Sequence, residues 1–414
     1  MMHREIEEIM AWSKRYADHD PQRILLGSND IPQPLRSAVA LQLQLTSKIK
    51  KKLPLFSQRE CYVPERINLE QASSQATAYY KKRFVAPADN VADLTGGLAV
   101  DFFALMQVAS KGVYHDLSPR CVQAANYNGA KLLPEEIHLS ITYMEGDSLL
   151  QLPRLVQQEY CSLIYADPAR RGEGGQRLYS LEQTMPSPLE VAGRLQQLRY
   201  GGKILIKLSP MADITEILRR LPWVSEVHIV AHHDELKEIL IYGNCSAEVT
   251  SAEDCRIYAL QTDMEGNAEQ GWSFVWSEAL SCSSEAVASE PGNYLFLPHA
   301  AAMKSGAFAL LGERFGVRAL AHNSHLFTGE RVVESFPGKC YRLLEVFPYK
   351  KKQLALLKNQ YPHLSISVRN FPLRAEELKK QLGTGESDTY TLFATTDSRG
   401  NRLLLVAERC QTLL

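Results

Sequence analysis

Residues 163–175 read LIYADPARRGEGG, and how they are taken decides the fold. An apolar run ends on Asp167, is clamped by Pro168, and continues through Ala169 into Arg170 and Arg171. One reading is a strand end and a turn, because Asp and Pro favour turns and Arg-Gly-Glu-Gly-Gly suits a solvated loop. The other is a carboxylate presented at the edge of a sheet as part of a site. That second reading needs partners elsewhere in the chain.

Between about 86 and 243, short apolar strands (NVADL, KGVYHDL, LSITYMEGD, SLIYADP, KILIKLS, VHIVAHH) alternate with amphipathic stretches such as CVQAANYNGAKLL and SPLEVAGRLQQLRY. Such alternation predicts a parallel sheet with right-handed crossovers. In its last unit, SEVHIVAHHDELKEILIYG, a short turn predicts an antiparallel hairpin closing one edge. The first strand runs into VADLTGGLAVD, an acid followed by a small-residue turn and a helix start, as in nucleotide-binding βα turns. Asp93 ends that strand, Thr95 can cap the turn, and Gly96 and Gly97 let backbone approach a ligand; a plain turn remains the alternative. Asp116 follows 23 residues later at a second strand end, with Leu117 beside it, placed to accept from ribose hydroxyls. Asp147 and Ser148 close the third strand. Asp93, Asp116, Asp147 and Asp167 therefore fall at four successive strand ends, which face one crevice in a doubly wound sheet.

The totals narrow the class. A chain of 414 residues, 45% hydrophobic and 22% charged, is expected to fold as two or three soluble domains. A net charge of -1 gives no global basic field. Eight scattered cysteines include no CxxC pair or Cys/His cluster, so no structural metal is expected, and single thiols suit a reducing cytoplasm. The charged N-terminus lacks an apolar signal core, and no run of about 18 apolar residues appears; a cytoplasmic protein with no membrane partner is expected.

The turn is not G-x-G-x-x-G, and no Walker lysine follows it. Taken together, D-L-T-G-G-L, Asp116, Asp147 and D-P-A-R resemble class I S-adenosylmethionine-dependent methyltransferases over about 160 residues. The resemblance implies a Rossmann-like seven-stranded sheet and S-adenosylmethionine as cofactor. Asp93, Thr95, Gly96 and Gly97 would surround its methionine part, Asp116 and Leu117 its ribose, Asp147 and Ser148 its adenine. Thr95 and Ala99 stand where the usual first and third glycines would be, closer to the D-x-T-x-G-L turn of some RNA guanine-N2 methyltransferases. In the amino-methylating branch, N/D-P-P-aromatic holds an exocyclic NH2 toward the methyl group. Here Asp167 and Pro168 are kept, while Ala169 and Arg170 replace proline and the aromatic; arginine can stack on a base or contact phosphate. D-P-x-R also resembles uracil-C5 methyltransferases, but Leu208-Ser209-Pro210 carries no thiol where those enzymes need one, which excludes that chemistry.

Around this core, residues 1–85 read as a helical N-terminal domain, 86–245 as the methyltransferase domain, and 246–338 as a linker hairpin and mixed α/β region. That hairpin turns near Met264-Glu265-Gly266-Asn267. Residues 339–414 give β-α-β-α-β-β and resemble THUMP-like (ferredoxin-like) domains, which implies RNA binding. LEQASSQATAYYKKRF reads as one helix whose Tyr79, Tyr80 and Lys81 either line the site or form an ordinary amphipathic face. The basic runs at 48–52, 79–84 and 349–352 read as solvated faces or RNA-binding surfaces. His232 and His233 read as rim or turn residues. The expected activity is methyl transfer to structured RNA, tRNA or rRNA, at a base amino nitrogen. The alternatives are a protein or small-molecule methyltransferase and a non-catalytic RNA-binding protein.

Overall fold

A computed structural model describes residues 2–27, 30–170, 181–244, 251–282 and 284–410, with Met2 and Arg170 described in backbone alone. They group into two compact units: Met1–His232, Lys237–Cys255 and Thr262–Glu269 in the first, and His233–Leu236, Arg256–Gln261 and Gln270–Leu414 in the second.

The first unit is built on seven strands: β1 (Asn90–Asp93), β2 (Lys111–Asp116), β3 (Ile141–Glu145), β4 (Leu163–Ala166), β5 (Lys203–Leu208), β6 (Val224–His232) and β7 (Glu235–Asn244). Their order is β3-β2-β1-β4-β5-β7-β6. β2–β3, β1–β2, β1–β4 and β4–β5 pair in parallel, and β7 runs antiparallel to β5. All four residues of β4 are buried, as a strand covered on both faces requires. The final hairpin is present as an antiparallel pair, and its returning strand β7 enters beside β5 and leaves β6 outside. His233 and Asp234, at φ 52° and 60°, form the tight turn that reverses the chain. Ile239, Leu240 and Ile241 of β7 are completely buried.

Helices α1 (Met2–Arg15) and α2 (Arg36–Lys52) lead the chain, held by a cluster of Ile9, Ile24, Ile31, Leu35, Val39 and Ala40. The stretch expected as one helix up to Phe84 is broken. One turn ends at Gln71, then Ser74 caps α3 (Gln75–Tyr80) by accepting the Thr77 N–H, and Lys81–Phe84 tightens into a 3₁₀ turn. Serine competes for backbone partners inside a helix and favours the cap, which explains the break. The crossovers follow as α4 (Val100–Met106), α5 (Pro119–Leu132), α6 (Ser148–Gln157), α7 (Pro188–Gln197) and α8 (Ile214–Arg220).

Beyond them, β8 (Arg256–Thr262) and β9 (Ala268–Val275) form the expected hairpin. Asp263 accepts the Asn267 N–H and side-chain amide across its turn, with Gly266 at φ 81°. The second unit carries a sheet of β10 (Tyr294–Pro298), β11 (Arg318–Ala319), β12 (Phe327–Gly329), β13 (Gly338–Pro348), β14 (Ser365–Val368), β15 (Tyr390–Thr396) and β16 (Arg402–Arg409). The order is β11-β12-β10-β13-β16-β15-β14. Helices α9 (Lys351–Gln360) and α10 (Ala375–Leu382) complete a β-α-β-α-β-β run over residues 338–409, where the sequence reading placed one over 339–414.

Candidate functional site

The sheet order reverses between β1 and β4, and a crevice opens outside the carboxyl ends of the strands at such a reversal. A cleft of about 740 Å³ lies there. Asp93, Thr95, Gly96, Gly97, Asp116, Leu117, Asp147, Ser148 and Asp167 all line it, as does Ala169. Nine of the eleven residues expected around cofactor and acceptor are thus brought together. Pro168 follows Asp167 at half-buried exposure, and the Arg170 backbone pairs with Thr184; the Arg170 side chain and residues 171–180 lie outside the described structure.

Each wall of the cleft follows from local chemistry. Asp93, at the end of β1, accepts the Thr95 N–H at 2.9 Å and the Thr95 hydroxyl at 3.3 Å. That hydroxyl accepts the Asp167 N–H at 2.6 Å, so Thr95 ties the end of β1 to the end of β4. A glycine could not make this bridge, which gives a physical reason for threonine at the first turn position. Gly96 has no room for a side chain: a Cβ would sit 2.1 Å from the Tyr114 ring. Gly97 has open space but φ 54°, and Ala99 adopts the same left-handed region at φ 61°. The Gly97 N–H donates to Asp116 Oδ2 and the Ser118 N–H to Oδ1, both at 2.7 Å, which orients the carboxylate over the turn. Asp147 caps α6 by accepting the Leu149 N–H, and Ser148 is buried beside it. Leu117, 64% exposed, forms an apolar part of the rim.

Beneath this lining lies charge that the sequence reading missed. Lys207 of β5 reaches 2.5 Å from Asp167 Oδ2, with the two side chains 14% and 32% exposed. Lys81, read from sequence as either lining the site or on an ordinary helix face, is fully buried and ion-paired to Asp101 at 3.0 Å and to Glu238 of β7 at 2.6 Å. Asp101 also accepts the hydroxyls of Tyr165 at 2.7 Å and Ser73 at 2.8 Å. The neighbouring Tyr80 hydroxyl pairs with His228 instead, and His232 hydrogen-bonds the Thr262 carbonyl. Four carboxyl groups (Asp93, Asp101, Asp167, Glu238) therefore share this region with Lys81 and Lys207, and Lys52 is near enough to interact with Asp101 and Lys207.

Burial raises Asp101, but Lys81 and Lys207 outweigh it and hold the carboxyl below its ordinary value. Burial lowers Lys207, yet Asp167, Asp101 and Glu238 overcome it and raise the ammonium well above its usual range. Burial also raises Glu238, against Lys81 and Lys207. Asp93 is raised well above the carboxylate range, first by burial and then by its neighbours Asp101, Asp167 and Asp116. An acid in that position gains from any cationic ligand group brought beside it. The residues fit S-adenosylmethionine in this sense: its ammonium and sulfonium carry the charge this wall favours, and Asp116 retains acceptor capacity for hydroxyls.

Residues 1–45 match a family model described as "N-terminal domain in putative methyltransferase". Residues 294–337 match a "ferredoxin-like domain", and 338–409 a "THUMP domain-like" model. A solved structure described as a "putative methyltransferase from Porphyromonas gingivalis W83" is 36% identical over 99% of each chain, with a TM-score of 0.90. A "predicted O-methyltransferase" from Agrobacterium tumefaciens is 14% identical over 41% of this chain and 79% of that one, at TM-score 0.28. An rRNA methylase from Streptococcus thermophilus is 12% identical over 41% and 93%, also at 0.28. At those last two scores the likeness carries no argument. A search of the curated proteins finds no match.

Proposed function

The chain belongs to the family of the Porphyromonas gingivalis methyltransferase, and from that premise we propose that it uses S-adenosylmethionine to methylate a base amino nitrogen of structured RNA, tRNA or rRNA. The carrying observation is the convergence of Asp93, Asp116, Asp147 and Asp167 on one cleft. Asp93, Thr95, Gly96 and Gly97 would hold the methionine part, Asp116 and Leu117 the ribose, and Asp147 and Ser148 the adenine. Bound there, the cofactor supplies a methyl group already activated by its positive sulfur. The protein's part is then mainly placement. Asp167, rigidly followed by Pro168 and held through its N–H by Thr95, accepts a hydrogen bond from an acceptor N–H and turns the nitrogen lone pair toward the methyl. Arg170, next along the chain, is assigned to the acceptor base or a phosphate. An RNA acceptor is supported by the THUMP-like match over 338–409 and by exposed lysines at 350, 351, 352, 358 and 380 of that module.

The test is nucleoside mass spectrometry of tRNA and rRNA from a strain lacking the gene, followed by restoration of the lost mark in vitro. An unchanged nucleoside profile together with no labelled methyl in RNA would overturn the RNA reading. In the restored assay, Asp167→Asn is expected to reduce transfer by about a hundredfold or more while S-adenosylhomocysteine still binds. Asp116→Ala is expected to weaken that binding by roughly tenfold to a hundredfold, read by titration calorimetry. Equal loss of binding in both variants would remove Asp167 from its assigned role.

A further inference from the structure

We propose that Lys207 is a positioning residue for methyl transfer, acting through Asp167: it fixes the carboxylate as an ionised hydrogen-bond acceptor at the floor of the cleft. This rests on the reading of Asp167 as the group that receives the acceptor N–H. Lys207 does not line the cleft, whereas Asp167 does, so the lysine acts from below. It reaches Asp167 from the adjacent parallel strand. Ile206 of β5 pairs with Ala166 of β4, so Lys207 and Asp167 follow at the same level.

The need for such a residue follows from the surroundings of Asp167. Burial pushes its carboxyl upward, Lys207 is the largest opposing influence, Asp101 adds to the upward push, and the balance with Lys207 in place still lies above the ordinary carboxylate value. Lys81 opposes too, but it is already engaged by Asp101 and Glu238. Without Lys207, Lys81 alone would remain ion-paired among these four carboxyl groups. Asp167, stripped of its ion-pair partner, would take up a proton at lower cost than Asp101, which keeps its pair with Lys81. A protonated Asp167 presents O–H where the reaction needs an acceptor, and it cannot receive the proton that an amino nitrogen sheds as it is methylated. Lys207 therefore sets the protonation state of Asp167 and its orientation together. Arginine in its place retains the charge; methionine or glutamine retains neither charge nor orientation.

The test uses the full chain, labelled S-adenosylmethionine, and total RNA from a strain lacking the gene. Four variants are compared with the unaltered protein between pH 6 and 9: Lys207→Met, Lys207→Arg, Asp167→Asn, and Lys207→Met combined with Asp167→Asn. Lys207→Met is expected to lose on the order of a hundredfold in rate at pH 7 and to recover as pH rises, because Asp167 then ionises without help. The unaltered protein should show no such rise, and Lys207→Arg should keep most of the rate. S-adenosylhomocysteine affinity, measured by calorimetry, should stay within about threefold throughout. In the Asp167→Asn background, Lys207→Met should cost nothing further, since a residue acting through another is not additive with it. Should Lys207→Met fail to fold, Lys207→Gln replaces it in the same cycle. A pH response like that of the unaltered protein, or additive losses in the double variant, would overturn the role of Lys207 while leaving the proposed activity standing. Absence of methyl transfer by the unaltered protein would instead remove the reading on which this one rests.

Discussion

At and beside the carboxyl ends of β1, β4 and β5 the first unit keeps four carboxyl groups and two lysines largely out of water, three of them, Lys81, Glu238 and Asp93, almost wholly so. The sheet of the second unit buries Leu295, Phe393, Leu405 and Ala407 on one face, and Leu364, Leu392, Leu404 and Val406 on the other. Among its aromatic contacts, Tyr341 edge-on to Phe393 is a matter of packing. Apolar burial stabilises at roughly 25 cal/mol per Å² removed from water, whereas a buried ion pair is often neutral or worse against an apolar replacement. The first unit therefore holds its buried charge for something other than stability. The function proposed for the cleft would give that charge a role.

The largest effects come from breaking each kind of core. Lys81→Met removes one partner of a buried pair and leaves Asp101 and Glu238 uncompensated, with an expected loss of about 3–5 kcal/mol. Leu405→Ala, in the apolar core, is expected to cost about 2–5 kcal/mol by lost transfer energy and a cavity. The two losses respond oppositely to acid. In Lys81→Met the stranded carboxyls have raised folded-state values, so stability should recover as pH falls and they neutralise. The Leu405→Ala deficit should not change. Thermal melts at pH 5 and pH 8 distinguish them, and equal deficits at both values would mean that Lys81 contributes packing rather than charge.

A histidine in each unit offers a milder comparison. His115 of β2 and His299 are nearly free of solvent, and burial lowers both to about 4. Each folded state favours neutral imidazole, while the unfolded chain takes up a proton below about 6.5. The stability each contributes is therefore complete above that value and is lost as pH falls toward 4, by at most about 3 kcal/mol per residue. His115→Leu should flatten this acid limb in the first unit. His299→Asn should do so in the second while still accepting the Ala302 N–H that His299 now caps. Hydrogen exchange resolved by segment reads the two units separately. An unchanged acid limb in either variant would place the titration elsewhere.

These contrasts also show which parts were legible in the sequence. The carboxylates at four strand ends could be read because a parallel sheet gathers its strand ends by topology alone. The β-α-β-α-β-β module was readable because each element carries its own period, as in KKKQLALLKNQ and RLLLVAER. The charges below the cleft were not. Lys207 sits in KILIKL and Glu238 in ELKEILIY, where strand alternation assigns a polar side chain to an outer face. Lys81 sits in YYKKRF, which reads as a solvated basic run. Each becomes intelligible only when β4, β5, β7 and the turn after α3 are brought together, and nothing local announces that. Asp101 alone left a signal, an acid in the first turn of a helix that is otherwise wholly apolar and buried.

The smallest effect separates the units at one atom. Thr95 and Thr395 are both threonines on well-buried strands or turns, and replacing either by valine removes one hydroxyl at nearly constant shape. The Thr95 hydroxyl accepts the Asp167 N–H and donates to Asp93. Thr95→Val leaves that N–H without its acceptor, and the expected cost is about 1–2 kcal/mol, with a lowered rate as Asp167 loses its anchor. Thr95→Ser should restore both. Thr395 of β15 is completely buried, and its hydroxyl has no hydrogen-bond partner among the described residues. Valine there removes a desolvated polar atom and is expected to be neutral or stabilising by up to about 1 kcal/mol. Chemical denaturation of the two variants measures the difference. Similar destabilisation in both would mean that the hydroxyl at the cleft, like the one in the apolar core, serves only to fill space, and that the β1–β4 bridge does not hold Asp167 in place.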